Sequence, residues 1–210
     1  ANQLLMSTSN IVLNEDGTAV EDADKLHKYD AAFYSKRTMN VSGGEKGDGV
    51  LNITADNEGL DSELHLTING GNINIVSGND GINTNEDNVS VTTVNGGNLN
   101  ILVNGNTGEG DGIDSNGWVV INGGSVMAQA SSYSMDSGID ADKGIIINDG
   151  KVIATGNMFD AVSESAKNYV VFNFTETQKP GFYQFTEKKQ AHESTPVDVL
   201  SYNITYEFRV

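Results

Sequence analysis

Asn69-Gly70-Gly71-Asn72-Ile73-Asn74-Ile75-Val76-Ser77-Gly78-Asn79-Asp80-Gly81-Ile82-Asn83 contains both parts of a unit that recurs along the chain. Its opening turn of small residues returns as Asn95-Gly96-Gly97, Asn122-Gly123-Gly124 and Asn148-Asp149-Gly150, at intervals of 26, 27 and 26 residues. Its closing signature has counterparts in Glu58-Gly59-Leu60-Asp61, Asp111-Gly112-Ile113-Asp114 and Ser137-Gly138-Ile139-Asp140, with a degenerate copy at Asp160-Ala161-Val162-Ser163. A period of this length means one supersecondary unit stacked on itself many times.

Between these marks the residues alternate. Leu51/Ile53, Leu64/Leu66/Ile68, Ile73/Ile75, Leu99/Ile101, Val126/Ala128 and Val152/Ala154 are separated by single polar or outward residues. Alternation with period two is the mark of a strand with one buried face, and no stretch here has helical periodicity. Each repeat thus holds two clear strands and a short one at the Asp-Gly-Ile corner, whose branched residue (Ile82, Ile113, Ile139, Val162) is expected to point inward. Three short strands per turn of 22 to 31 residues predict an all-β parallel β-helix, a solenoid with terminal caps. Equivalent residues of neighbouring coils then stack in ladders about 4.7–4.9 Å apart.

The expected organisation is an N-terminal cap over residues 1–28, helix repeats over 29–165 and a C-terminal β cap over 166–210. Residues 1–28 lack the repeat, with a short strand at Ile11-Val12-Leu13, and the first coil starts near Tyr29. From Asn168 the composition becomes aromatic, in Tyr169–Phe174, Phe182–Phe185 and Tyr202–Phe208, which read as strands covering the last coil.

The chain of 210 residues has a net charge of −17, no cysteine and 24 glycines. Such a charge makes nucleic acid and anionic membranes poor partners. No apolar run is long enough to span a bilayer, so no membrane insertion is expected. From Gly47 to Asp142 there is no Lys or Arg, yet that window holds fourteen carboxylates.

Aligned on the corner glycine, the preceding column holds Glu58, Asp80, Asp111, Ser137 and Asp160. Two positions after the glycine stand Asp61, Asn83, Asp114, Asp140 and Ser163, and Asp142 lies two further on. Two carboxylates about 5 Å apart repel by roughly 3 kcal/mol at an effective dielectric near 20. Such ladders need positive charge from outside, and a hard cation such as Ca²⁺, which accepts six to eight oxygens, is the natural source. The candidate metal ligands are Glu58, Asp61, Asp80, Asn83, Asp111, Asp114, Asp136, Asp140 and Asp142. The competing reading is local, since Asp and Asn favour tight corners by bonding their own backbone. Trp118, in the outward column of His65, and Tyr133 are the candidates for stacking on a sugar ring. The three histidines share no ligand spacing, and no nucleophile elbow or phosphate loop is present.

The runs Ala32-Phe33-Tyr34-Ser35-Lys36, Asp56-Asn57-Glu58-Gly59-Leu60-Asp61, Leu66-Thr67-Ile68-Asn69-Gly70-Gly71 and Asn79-Asp80-Gly81-Ile82-Asn83 resemble the bacterial carbohydrate-binding β-helix family first described among cellulosome-bearing clostridia. The resemblance covers about residues 29–165. It implies a right-handed parallel β-helix similar in fold to pectate lyases, bound Ca²⁺, an extracellular or cell-surface location, and binding of acidic polysaccharide such as polygalacturonate, or of cellulose. The last coils depart from the pattern, with Ser137 for the corner Asp and Ala161 for the corner Gly.

Three functions compete on these grounds. The first is a non-catalytic, monomeric carbohydrate-binding protein in which Ca²⁺ bridges protein carboxylates to a uronate. The second is a structural or adhesive solenoid in which cations only staple the coils. The third is a polysaccharide lyase, which needs a basic residue beside a neutralised uronate. Only Lys36, Arg37, Lys46, Lys143, Lys151 and Lys167 flank the acidic coils.

Overall fold

A computed structural model describes residues 31–106 and 108–176, together with the strands Phe182–Phe185 and Ile204–Glu207. The expected N-terminal cap, residues 1–28, lies outside the described residues. Among the described residues there is no helix; all regular structure is β.

The chain winds in coils of three strands. The first coil is β1 (Phe33–Ser35), β2 (Thr38–Val41) and β3 (Val50–Ala55). The second is β4 (Leu60–Ser62), β5 (His65–Ile68) and β6 (Asn72–Ser77), and the third β7 (Ile82–Thr84), β8 (Val91–Val94) and β9 (Asn98–Val103). The fourth is β10 (Ile113–Ser115), β11 (Trp118–Ile121) and β12 (Ser125–Gln129). Then follow β13 (Gly144–Ile147), β14 (Lys151–Thr155) and β15 (Val162–Ser165). Each strand pairs in parallel with its equivalent in the next coil. The result is a four-stranded corner sheet β1-β4-β7-β10, a six-stranded sheet β2-β5-β8-β11-β13-β15 and a five-stranded sheet β3-β6-β9-β12-β14. The expected parallel β-helix is therefore the fold.

The alternation fills the interior as the sequence predicts, except in β14, where Val152 is only half-buried and Ala154 is exposed. Ile73, Ile75, Leu99, Ile101 and Val126 point in from the five-stranded sheet, and Leu66, Ile68, Val94, Val119 and Ile121 from the six-stranded sheet. Leu60, Ile82 and Ile113 stack from the corner sheet, and Ile139 continues the column through a single bridge to Ile113. The turns between the two long sheets close on Gly71, Gly97, Gly124 and Gly150, each at positive φ (84° to 103°), a region that only glycine enters without strain.

Two expectations are corrected. Val162 does not extend the corner column; it pairs with Ile145 in the six-stranded sheet, ahead of a bulge between Ile145 and Ile146. At Gly81 and Gly112 an added Cβ would come 2.6 Å from the Gly112 oxygen in the first case and closer still to the Gly138 oxygen in the second. At Gly138 the atoms nearest such a Cβ belong to Thr155, Ala128 and Ala154, so the glycine stacking does not continue to Ala161. Tyr169–Phe174, expected among the cap strands, forms no strand, and its side chains are exposed. The chain divides into two compact units, Ala1–Tyr169 and Val170–Val210. In the second, β16 (Phe182–Phe185) pairs antiparallel with β17 (Ile204–Glu207).

Candidate metal centre

The corner sheet sets the candidate residues in register. Tyr34, Asp61, Asn83 and Asp114 form one outward column, strand against strand. Asp140 follows in the next coil, its amide donating to the Ile113 carbonyl at 2.8 Å. In the column before the glycine Asp80 and Asp111 cap the coil above. Asp80 Oδ1 accepts from the Asp111 amide at 2.7 Å, and Asp111 Oδ1 accepts from the Ser137 amide at 2.7 Å. Asp160 reaches the other way: the Ala141 amide, in the coil below, donates to its Oδ2 at 3.1 Å.

The lower and upper coils of this corner differ. In the lower coils amides are interleaved with the acids: Asn83 Nδ2 donates to Glu58 Oε1 at 3.0 Å, and Asn85 Nδ2 to Asp61 Oδ1 at 2.8 Å. Glu58, Asp61 and Asp80 are 8%, 2% and 5% exposed, so this part is nearly closed to solvent. In the upper coils carboxylates meet carboxylates. One oxygen each of Asp111, Asp114 and Asp140 lies within 4.8 Å of the other two, and all three residues are half-buried.

Electrostatics carries the mark of that crowding. Burial, then the charge of Asp114, pushes the Asp80 carboxyl up to about 9. Burial pushes Asp111 up to about 8, with Asp114 and Asp136 adding to it against the bond from the Ser137 amide. Burial and the Asp140 charge raise Asp114 to about 7. Asp140 is raised by burial, then by Asp160 and Asp142. With no cation beside them, these carboxyls keep their protons well above the ordinary carboxylate range.

Three buried oxygens around it have no hydrogen-bond partner: Asn83 Oδ1, Asp136 Oδ2 and Ser137 Oγ. Ser137 is 1% exposed and stands in the column where the other coils have Asp or Glu. A buried oxygen without a donor is costly unless a positive group meets it. Carboxylates, an amide carbonyl and a hydroxyl are the donor set that Ca²⁺ accepts, so the residues fit such an ion.

The sequence-derived candidates are thus dispersed. Asp111, Asp114 and Asp140 come together. Asp136 sits on the loop before Gly138, where its carbonyl accepts from the amides of Asn157 and Met158. Asp142 is exposed and outside the three. Trp118 is half-buried in the outward column of the six-stranded sheet, between Val91 and Gly144. Tyr133 is 70% exposed on the loop after β12. In chain order β10 precedes both, and β12 lies between them.

Sequence reasoning missed the neighbours of Tyr133. Asn157 Nδ2 donates to the carbonyls of Ser132 and Ser134, joining the loop after β14 to the loop after β12. Those loops expose Met135, Met158 and Phe159 as well. The signal was available in sequence, since the two loops occupy the same place in consecutive coils.

No curated protein and no solved structure matches the chain. A family model described as carbohydrate-binding domain-containing protein matches residues 3–188. A solenoid with a polar, acidic corner is compatible with that description, and the match spans most of the sequence: the chain belongs to the carbohydrate-binding domain-containing protein family.

Proposed function

We propose that this is a non-catalytic, secreted or surface-displayed binding protein of the type found on cellulosome-bearing clostridia. In this reading it holds an acidic polysaccharide of the polygalacturonate kind through Ca²⁺ at the upper corner. The convergence of Asp111, Asp114 and Asp140 supports it, because three half-exposed carboxylates can hold a cation and leave coordination positions open. A uronate carboxylate would occupy an open position, while Tyr133 on one side, and Trp118 on the other, offer ring faces to the sugar.

The lower corner favours a second role for a cation. Glu58, Asp61 and Asp80 are almost closed to solvent, so an ion there would staple coils and offer nothing to a glycan. Stapling below and recognition above are compatible.

Retention in native gels containing polygalacturonate tests the proposal. Retention with Ca²⁺ that disappears in EDTA is expected. Retention indifferent to EDTA would remove the bridging mechanism, and an unsaturated product absorbing in the ultraviolet would turn the reading toward a lyase.

A further inference from the structure

The outside of the five-stranded sheet carries a second ordered array, of amides. Asn74 Nδ2 donates to Asn52 Oδ1 at 2.8 Å, and Asn100 Nδ2 to Asn74 Oδ1 at 3.0 Å. Beside this column Asn98 Nδ2 donates to Asn72 Oδ1 at 2.8 Å. At the adjoining turn a third column runs Asn148 to Asn122 to Asn95 to Asn69, at 2.7, 2.9 and 2.8 Å. Every bond runs in the same direction, from the later coil to the earlier.

A side-chain amide has two N–H donors and two acceptor lone pairs. An interior member of a ladder uses one of each along the column. Asn74, Asn95 and Asn122 therefore each keep one donor and one acceptor for solvent, at about the 4.7–4.9 Å spacing of the strands. Asn52, Asn74, Asn98 and Asn100 are exposed. Their rotamers are already fixed by the ladder, so a ligand that bonds them meets little further loss of side-chain entropy. Outward positions of β3, β6 and β9 hold no charged residue, on a chain whose net charge is −17. Half-buried Val76 and Leu102 form an apolar strip beside the amides.

We propose that this face is a second, metal-independent binding site, which takes a neutral, hydroxyl-rich, extended polysaccharide along the stacking axis. Its hydroxyls meet the spare donor and acceptor of successive amides, and the C–H face of its rings lies on the Val76–Leu102 strip. A polyuronate is disfavoured here, because the face has no positive group and no carboxylate cluster to hold a cation. The inference rests on the family's carbohydrate binding and is independent of the calcium corner.

Native gels containing hydroxyethylcellulose, with EDTA throughout, test it on the full chain. The protein is expected to be retarded. The double substitution Asn74→Ala, Asn100→Ala is expected to weaken retention at least about tenfold while calcium-dependent retention by polygalacturonate persists. An unretarded protein overturns the proposal. So does a double variant that melts earlier but is retained as before, which would make the ladders purely structural. If the double variant does not fold, the side-chain amide signals of Asn74 and Asn100 in the unsubstituted protein decide. They are expected to shift on titration with a cello-oligosaccharide in EDTA, and unshifted signals overturn the inference. Loss of the polygalacturonate arm alone would instead remove the calcium reading.

Discussion

Replacing Asp114 by Asn separates a cation site from a merely polar corner, because the two readings give opposite signs. Asp114 faces both Asp111 and Asp140, with oxygens of the three within 4.8 Å of one another. At that distance two full charges repel by about 3.5 kcal/mol at an effective dielectric near 20. The Asp114→Asn substitution removes two of the three repulsions. Proton uptake by Asp111 and Asp114 and partial exposure absorb much of this, leaving about 1–3 kcal/mol of gain in the metal-free protein at pH 8.5. For a chain of this size that is roughly 3–10 °C in Tm. With calcium the sign inverts. A carboxylate ligand is lost, and an affinity drop of at least about tenfold removes about 1.4 kcal/mol or more of calcium-linked stabilisation. Melting curves in EDTA and in millimolar CaCl₂, with calorimetric titration of Ca²⁺, read both quantities. An Asp114→Asn variant that melts lower in EDTA and shows the unsubstituted protein's calcium shift would refute the reasoning, and Asp114 would be an ordinary corner residue.

In EDTA, stability should fall as pH rises. Asp80, Asp111 and Asp114 have folded values of about 9, 8 and 7 against an ordinary 3.8, so the folded chain binds more protons than the unfolded chain between about pH 4 and 9. Urea midpoints should be higher at pH 5.5 than at pH 8.5, and calcium should flatten the difference; a higher midpoint at pH 8.5 in EDTA contradicts this. Gly81→Ala should cost about 3 kcal/mol, since its Cβ would fall on Ile101 Cγ2 and 2.6 Å from the Gly112 oxygen, backbone that cannot yield; denaturant unfolding measures it. Tyr133→Ala should weaken polygalacturonate retention about fivefold with Tm unchanged, because the ring is 70% exposed and a ring contact is worth about 1 kcal/mol. Trp118→Ala, by contrast, should lower Tm by several degrees, and an unaltered Tm would mean its ring packs on nothing.

The solenoid was legible because its two signals are local and repeated. Alternation at Ile73/Ile75 and Leu99/Ile101 needs only the pleat, and the Gly-Gly turns need only the positive φ found at Gly71, Gly97, Gly124 and Gly150. The site was legible as columns but not as a cluster. The columns weight Glu58, Asp80 and Asp111 equally, whereas Asn83 and Asn85 reach back to hydrogen-bond Glu58 and Asp61, a donor that Asp111, Asp114 and Asp140 do not give one another. The buried polar column Ser62, Thr84 and Ser115 was also invisible. Its hydroxyls are tied by Thr84 Oγ1 donating to Ser115 Oγ at 2.8 Å and Ser62 Oγ to the His65 carbonyl at 3.0 Å, and a three-residue strand is too short for alternation to reveal which way they point. The amide ladders escaped because each Asn has a sufficient local reason to sit in a turn.

Stacking imposes the same demand on every column: a side chain must tolerate its own kind about 4.8 Å above and below. An amide meets that demand alone, since its donor faces its neighbour's acceptor, and Asn69, Asn95, Asn122 and Asn148 bond in sequence with nothing added. A carboxylate has only acceptors and cannot. At Asp80 and Asp111 one oxygen is satisfied by the backbone of the next coil, but Asp114 and Asp140 have no such answer in each other. The chain could have placed Asn there, as it does at Asn83. Keeping Asp in adjacent coils, with unpartnered Asp136 and Ser137 oxygens beside them, sacrifices apo stability at one place in the fold. That sacrifice is the physical ground for expecting a cation, and a cation-bridged ligand, at the upper corner, whereas the amide face can serve only a ligand that needs no metal.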